Sequence, residues 1–248
     1  MKKSNILLTA TLLGTITLGG ALPVNAVDES KSTLTFKEKD SVVKPVDPEN
    51  PSEPEDPDNP VTTDPENPNP DNPNIPTGNQ GPLSLDVVPG TMNFGTQYVD
   101  LKGGTYYAEG NTGAKHFLQV TDNRSDENGW DIKVSRTIFN DTTDNAKNLV
   151  AELVLPAERT VRNSLTADPT ALAPDFLTSA TEFSIPVGAD NASTLISTGT
   201  STDPLHGKET STYTWEQAGE KLVVGKGAAK TGNYSSTINW TLSASADN

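Results

Sequence analysis

The sequence predicts an all-β fold: a single β-sandwich-like domain over residues 83–248, after a signal peptide and a disordered proline- and aspartate-rich linker. Three observations lead to this prediction. Apolar side chains alternate along short segments, which is the period of a strand that buries one face. Clusters of Thr, Ser, Asn, Asp and Gly separate these segments, as turns do in β proteins. No stretch carries the sustained apolar repeat of an amphipathic helix.

Residues 1–26 have the composition of a secretory signal peptide. The segment starts with two lysines, continues with an apolar stretch from Ile6 to Leu22, and ends in the small-residue cleavage site Val24-Asn25-Ala26. Glycines and a proline interrupt the apolar stretch, which favours export with cleavage over a transmembrane anchor. No second apolar run of membrane length follows, so we expect a secreted protein without direct membrane insertion.

Residues 27–43 are polar except for one strand-like patch, Thr33-Leu34-Thr35-Phe36. In a strand, Leu34 and Phe36 would share one face. Two interpretations stay open for this segment. It is either a disordered leader or a short strand that adds to a sheet, in its own domain or in a partner.

Residues 44–82 are of low complexity. They contain twelve prolines and nine acidic residues against one lysine, and the pentapeptide Asp-Pro-Glu-Asn-Pro occurs twice. Such a segment has little to bury and repels itself. It is therefore predicted to be an extended, disordered linker between the leader and the domain.

A turn signal is the main indication of local topology within the domain. Asp126-Glu127-Asn128-Gly129 separates two alternating apolar segments. This arrangement predicts a β-hairpin that runs from His116 to Val134.

Two tryptophan-centred segments are the most distinctive motifs of the domain. Each places a Trp and an aliphatic residue two positions apart, so that both side chains point to one face of a strand. The residues are Trp130, Ile132, Trp240 and Leu242. Their alternation with further aliphatic residues favours burial in the core. The same rings, exposed in a groove, could stack on sugars, so both a structural and a wall-binding role stay open.

The third tryptophan, Trp215, alternates with Tyr213 close to a glycine-containing loop. This aromatic pair is a candidate ligand surface. It is equally compatible with a place in the core.

Charge and composition exclude several classes of function. The chain after residue 26 carries 16 basic and 33 acidic residues, which argues against nucleic acid and against anionic lipid as partners. It has no cysteine, so the core alone must hold the fold. The histidines, His116 and His206, lack metal-ligand spacing, and no serine sits in a nucleophile elbow. We expect no metal, no cofactor and no catalysis, with a secreted carbohydrate-active enzyme as the enzymatic alternative.

Several motifs together resemble the WxL-domain proteins of Gram-positive bacteria of the Firmicutes. They are Leu83-Ser84-Leu85-Asp86 after the linker, Asn93-Phe94-Gly95-Thr96-Gln97, Gln119–Arg124 ahead of Gly129-Trp130, and Trp240-Thr241-Leu242 near the C-terminus. One departure is that the proximal motif reads Trp-Asp-Ile. Ile132 keeps the face apolar, but any role that needs the shape of Leu is in doubt there.

The resemblance implies a secreted protein that attaches non-covalently to the Gram-positive cell wall, through peptidoglycan or another wall glycan. It also implies work in complexes with other surface proteins, often membrane-anchored. Two alternatives stay open. The protein is an adhesin for host or matrix ligands, attached to the wall indirectly through a partner, or it is a subunit that works only inside such a complex.

Overall fold

A computed structural model describes residues 32–58, 60–63, 74–110, 113–125, 129–144, 146–173, 175–199, 201 and 203–245. The predicted signal peptide lies outside these residues. The chain divides into two units, Met1–Lys37 and Glu38–Asn248. In the first unit the described residues, 32–37, form no regular secondary structure, and the side chains of Leu34 and Phe36 are 77% and 87% exposed.

The second unit is built from short β-strands, which confirms the all-β prediction. In chain order the described strands are β1 (Val46–Asp47), β2 (Asn50–Pro54), β3 (Asn74–Pro76), β4 (Leu83–Pro89), β5 (Gly104–Tyr107), β6 (Lys115–Asp122), β7 (Trp130–Arg136), β8 (Phe139–Asp141), β9 (Asn148–Leu149), β10 (Ala151–Leu155), β11 (Arg159–Asn163), β12 (Leu177–Thr178), β13 (Phe183–Ser184), β14 (Ser193–Ser197), β15 (Glu209–Glu216), β16 (Lys221–Val224), β17 (Tyr234–Ser235) and β18 (Ile238–Ala244). The helical residues described are two 3-10 turns, Ala189–Asn191 and Gln217–Gly219.

The strands form a sandwich-like arrangement of antiparallel sheets. The largest has the order β11-β15-β6-β4-β3, and two four-stranded sheets have the orders β13-β10-β16-β5 and β12-β14-β7-β18. A three-stranded sheet, β17-β8-β9, and the hairpin β1-β2 complete it. One apolar cluster joins the three larger sheets, with Leu118 from β6, Ile132 from β7 and Leu153 from β10 among its buried members.

The segment predicted as a disordered linker is partly folded. The hairpin β1-β2 and strand β3 lie within residues 44–82, and β3 pairs with β4. The Thr212 hydroxyl donates a hydrogen bond to the carbonyl oxygen of Pro48 (2.9 Å). The side chain of Gln119 accepts from the amide of Val46 (3.0 Å) and donates to the carbonyl of Lys44 (3.1 Å).

This difference has a physical cause. Composition reflects only what the segment itself could bury. Prolines lack an amide hydrogen but keep a carbonyl oxygen, and the outer face of the five-stranded sheet presents side chains that bond to the backbone of this segment. The boundary predicted at Leu83 therefore lies inside the folded unit. Residues 64–73 of the predicted linker lie outside the described residues.

The predicted hairpin from His116 to Val134 does not form, because β6 and β7 belong to different sheets. A buried polar cluster holds the crossing between them. The guanidinium group of Arg124 donates two hydrogen bonds to Asp122 (2.9 and 2.8 Å) and a third to the carbonyl of Gly129 (2.8 Å). The predicted turn itself, at residues 126–128, lies outside the described residues.

Candidate functional site

The structure places the two tryptophan motifs side by side. Strands β7 and β18 pair antiparallel, with Trp240 opposite Val134 and Leu242 opposite Ile132. The two segments lie far apart in the sequence, and alternation alone gave no sign that they pair. All four predicted motif residues therefore belong to one small region of one sheet.

The proximal motif lies inside the core. Trp130 is 1% exposed and Ile132 is fully buried. The indole nitrogen of Trp130 donates a hydrogen bond to the carbonyl of Gly207 (3.0 Å), and its ring centroid lies 5.7 Å from that of Phe176. A satisfied, enclosed indole supports a structural role. No face of this ring is open to a ligand.

The distal motif is only partly buried because β18 is the last strand of its sheet. The ring centroid of Trp240 lies 6.3 Å from that of Trp215, which is itself in the core. The Trp240 side chain also lines a surface groove. It therefore packs on the core and at the same time presents surface to that groove.

The groove has a volume of about 670 Å³. Strand β18 and residues 232–236 line one part of it, and residues 88–99 line another. Core side chains such as Leu153 and Leu222 also contribute to its lining. Six aromatic residues are among those that line it: Phe94, Tyr98, Tyr106, Phe139, Tyr234 and Trp240.

One wall of the groove is a segment without strand pairing, Gly90–Asp100. The amide of Glu109 holds it by donating a hydrogen bond to the carbonyl of Asn93 (2.7 Å). Gly95 adopts a φ of 64°, in the left-handed region, and a Cβ atom there would collide with the carboxylate of Glu109. Tyr98 follows this turn with its side chain 97% exposed, so its ring is available at the rim of the groove.

Few charged side chains line the groove, and the carboxylate of Glu109 lies just behind its wall, 3.3 Å from the side-chain amide nitrogen of Asn93. The chain contains 33 acidic residues, yet the described residues that line the groove include no Asp or Glu, and Lys230 is the charged residue among them. Side-chain amides of Asn93, Gln97 and Asn233 supply hydrogen-bonding groups. Aromatic surfaces with amides and hydroxyls suit a ligand that has both apolar and polar surface.

Tyr213 and Trp215 lie in the core, each 2% exposed. The indole nitrogen of Trp215 donates to a carboxylate oxygen of Glu220 (2.7 Å), which also bonds to Nδ1 of His116 (2.6 Å). Burial raises the pKa of the Tyr213 hydroxyl, and the neighbouring Arg159 acts in the opposite direction. Burial supports the core interpretation of this pair and leaves neither ring accessible as a ligand surface.

Within the part of the chain that the structure describes, no group of three or more His, Cys, Asp or Glu side chains could hold a metal ion. Likewise, no helix among the described residues is long and apolar enough to cross a membrane.

The aromatic residues opposite Trp240 were not predicted as a site. A signal for them exists in the sequence, because residues 87–99 contain no acidic residue although the chain is strongly acidic, and they include Phe94 and Tyr98. Part of this segment, Asn93–Gln97, was recognisable only as a family motif. Which side chains would face Trp240 depended on packing between sheets.

Residues 24–245, nearly the whole chain, match the family model described as a WxL domain, surface cell wall-binding. The match includes both tryptophan motifs and the proline-rich segment that folds onto the five-stranded sheet. No curated protein and no solved structure matches the chain.

Proposed function

The chain belongs to the WxL family of surface cell wall-binding domains, and we propose that it holds the wall non-covalently through the aromatic groove beside Trp240. The family places the protein at the cell surface. The proposed ligand is a wall glycan, that of peptidoglycan, and no catalysis is involved. The proposal extends to action in complexes with other surface proteins.

One observation carries this proposal: aromatic rings and side-chain amides line the groove beside Trp240. Sugar rings present C–H surfaces that pack on aromatic faces by dispersion, and hydroxyls that bond to amides. Charges are screened beyond about 8 Å at physiological salt. Approach to an anionic wall therefore depends mainly on charges close to the groove, where Lys230 is part of the lining and Glu109 lies behind Asn93 and Gly95.

Co-sedimentation with purified peptidoglycan sacculi, stripped of protein and of anionic polymers, tests direct binding. The chain from Val27 onwards should be used, because β1 to β3 precede Leu83 and belong to the fold. The expected result is saturable sedimentation. Tyr98→Ala should lower the affinity about fivefold, the loss of roughly 1 kcal/mol of ring stacking.

The matched control is Tyr107→Ala. Tyr107 is 60% exposed and follows Tyr106 on β5, but it does not line the groove. Equal loss with both variants would argue against the groove. Binding that requires unstripped walls would identify the anionic polymer as the ligand. Failure of the unaltered chain to sediment would leave attachment through a partner protein.

A further inference from the structure

The outer edge of β18 is an unpaired strand edge. In the sheet order β12-β14-β7-β18 it has β7 on one side, and no described strand pairs with it on the other. Such an edge presents a row of backbone donors and acceptors that can template another strand. It runs over seven residues, Ile238–Ala244, with the groove-lining side chain of Trp240 near its middle.

The register identifies which backbone groups are available. At one end the amide of Ser245 donates a hydrogen bond to the carbonyl of Gly129, and at the other the amide of Thr137 donates to the carbonyl of Thr237. These two opposed pairs are therefore hydrogen-bonded pairs between the β7 and β18 segments. Because hydrogen-bonded and non-bonded pairs alternate in antiparallel strands, the even-numbered residues between them direct their N–H and C=O groups outward. These residues are Ile238, Trp240, Leu242 and Ala244.

The same chain contains a segment suited to such an edge. Thr33-Leu34-Thr35-Phe36 consists of residues that favour strands, apart from Leu, and alternates polar and apolar side chains. It forms no strand in the structure, and the side chains of Leu34 and Phe36 are 77% and 87% exposed. Two large apolar side chains on one face of an unpaired segment indicate a surface that becomes buried on assembly.

Charge does not oppose binding of this segment to another copy of the chain. Residues 31–37 carry two lysines and no acidic residue, whereas residues 38–248 carry 14 basic and 31 acidic residues, a net charge of −17. Asp28 and Glu29 precede the two lysines, so residues 27–37 are neutral overall and are not repelled by the acidic body of another copy. An acidic partner segment would instead be repelled.

We propose that Thr33–Phe36 of one copy adds as a strand to the outer edge of β18 in a second copy. Side chains of paired residues lie on the same face of a sheet, so that Leu34 and Phe36 extend the apolar face of Trp240 and Leu242. Reciprocal exchange between two copies closes a dimer, and one-way addition builds a chain of copies. This inference rests on the strand edge and is independent of wall binding.

Analytical ultracentrifugation of the chain from Val27 onwards, without any wall material, tests the proposal. The unaltered protein is expected to associate reversibly with increasing concentration. Leu34→Asp with Phe36→Asp should lower the association constant about tenfold or more, because it places charge against an apolar face. The matched control is Leu172→Asp with Leu205→Asp, whose side chains are similarly exposed, 56% and 60%, and should associate normally.

Two results would overturn the proposal: a protein that stays monomeric at every attainable concentration, or equal association of the Leu34/Phe36 variant and the unaltered chain. Folding is not in question for this variant, because both side chains are exposed in the single chain.

The absence of cysteine allows a second test that locates the acceptor. A Thr35→Cys chain is mixed with a Thr241→Cys chain, in which the altered residue lies on the exposed face of β18. The proposal expects a mixed disulfide between the two chains under mild oxidation. Lys226→Cys, exposed and outside β18, is the control partner. Equal cross-linking to both partners would show random collision and contradict strand addition.

Discussion

The two tryptophan motifs have the same pattern in the sequence and different environments in the fold. Trp130 lies on β7, which has β14 and β18 on its two sides, and the ring is enclosed. Trp240 lies on β18, which has a single neighbour, and its ring reaches a surface groove. Alternation shows which face of a strand is apolar. Whether that face is covered depends on the position of the strand in its sheet.

The difference in burial separates the structural role from the wall-binding role, both of which the sequence left open for each motif. Burial and a satisfied indole nitrogen support a structural role for Trp130. Trp240 contacts the core through Trp215 and the solvent side through the groove. The proposed wall contact therefore belongs to one motif, and the other supports the strand on which that motif is built.

The largest expected effect is that of Trp130→Ala. Removing a fully enclosed indole should lower the free energy of unfolding by about 3–5 kcal/mol, through lost burial and the cavity that remains. The carbonyl of Gly207 would also lose its donor. Denaturant unfolding measures the change. A loss below about 1 kcal/mol would mean that the site collapses or that the ring is not enclosed.

Trp240→Ala should have a smaller effect on stability and a larger one on binding. A partly buried ring on an edge strand should contribute about 2 kcal/mol to the free energy of unfolding. Sedimentation with sacculi should be lost, because the ring lines the groove. Denaturant unfolding and sedimentation are measured on the same preparation. Equal destabilisation by the two Trp→Ala changes, with sedimentation intact, would make Trp240 a second core residue.

Exchanging the aliphatic partners tests the departure at position 132. Ile132→Leu keeps the volume but changes the shape at a fully buried site, and should cost about 1 kcal/mol. Leu242→Ile, on the partly buried strand, should cost less than that. Thermal unfolding compares them, with sacculus binding expected to be unchanged for Ile132→Leu. A gain in binding for Ile132→Leu would show that the shape of Leu matters beyond the core.

Several features could be predicted from residues alone, because they depend on local pattern. The strands around Trp130 and Trp240 follow from the two-residue period, and the all-β class follows from many such segments. The pairing of β7 with β18 depends on contacts between distant segments. The same is true of the groove, since the residues opposite Trp240 come from a segment with no regular pattern, Gly90–Asp100.

The proline-rich segment shows a different limit. Its composition describes the segment in isolation, and in isolation it has little reason to fold. The side chains of Gln119 and Thr212 on the sheet bond to its backbone. That partnership depends on the outer face of the five-stranded sheet, and nothing in the composition of the proline-rich segment shows that this face will be covered.

The smallest expected effect concerns the two uses of β18. A strand added along its outer edge would carry Leu34 and Phe36 next to Trp240, beside the groove proposed for the glycan. Association between copies and wall binding should then compete. Leu34→Asp with Phe36→Asp, which prevents association, should raise sacculus binding about twofold at concentrations where the unaltered chain is half associated.

The measurement is sedimentation with sacculi over a concentration series, with Leu172→Asp and Leu205→Asp as the control that still associates. If the Leu34/Phe36 variant binds sacculi better than the unaltered chain only at high protein concentration, the result would support competition. Copies associate through the edge of β18 only at such concentrations. Weaker binding by the Leu34/Phe36 variant would contradict it. In that case associated copies would bind the wall through several grooves at once. Strand addition at the edge of β18 would then strengthen wall binding at Trp240 instead of competing with it.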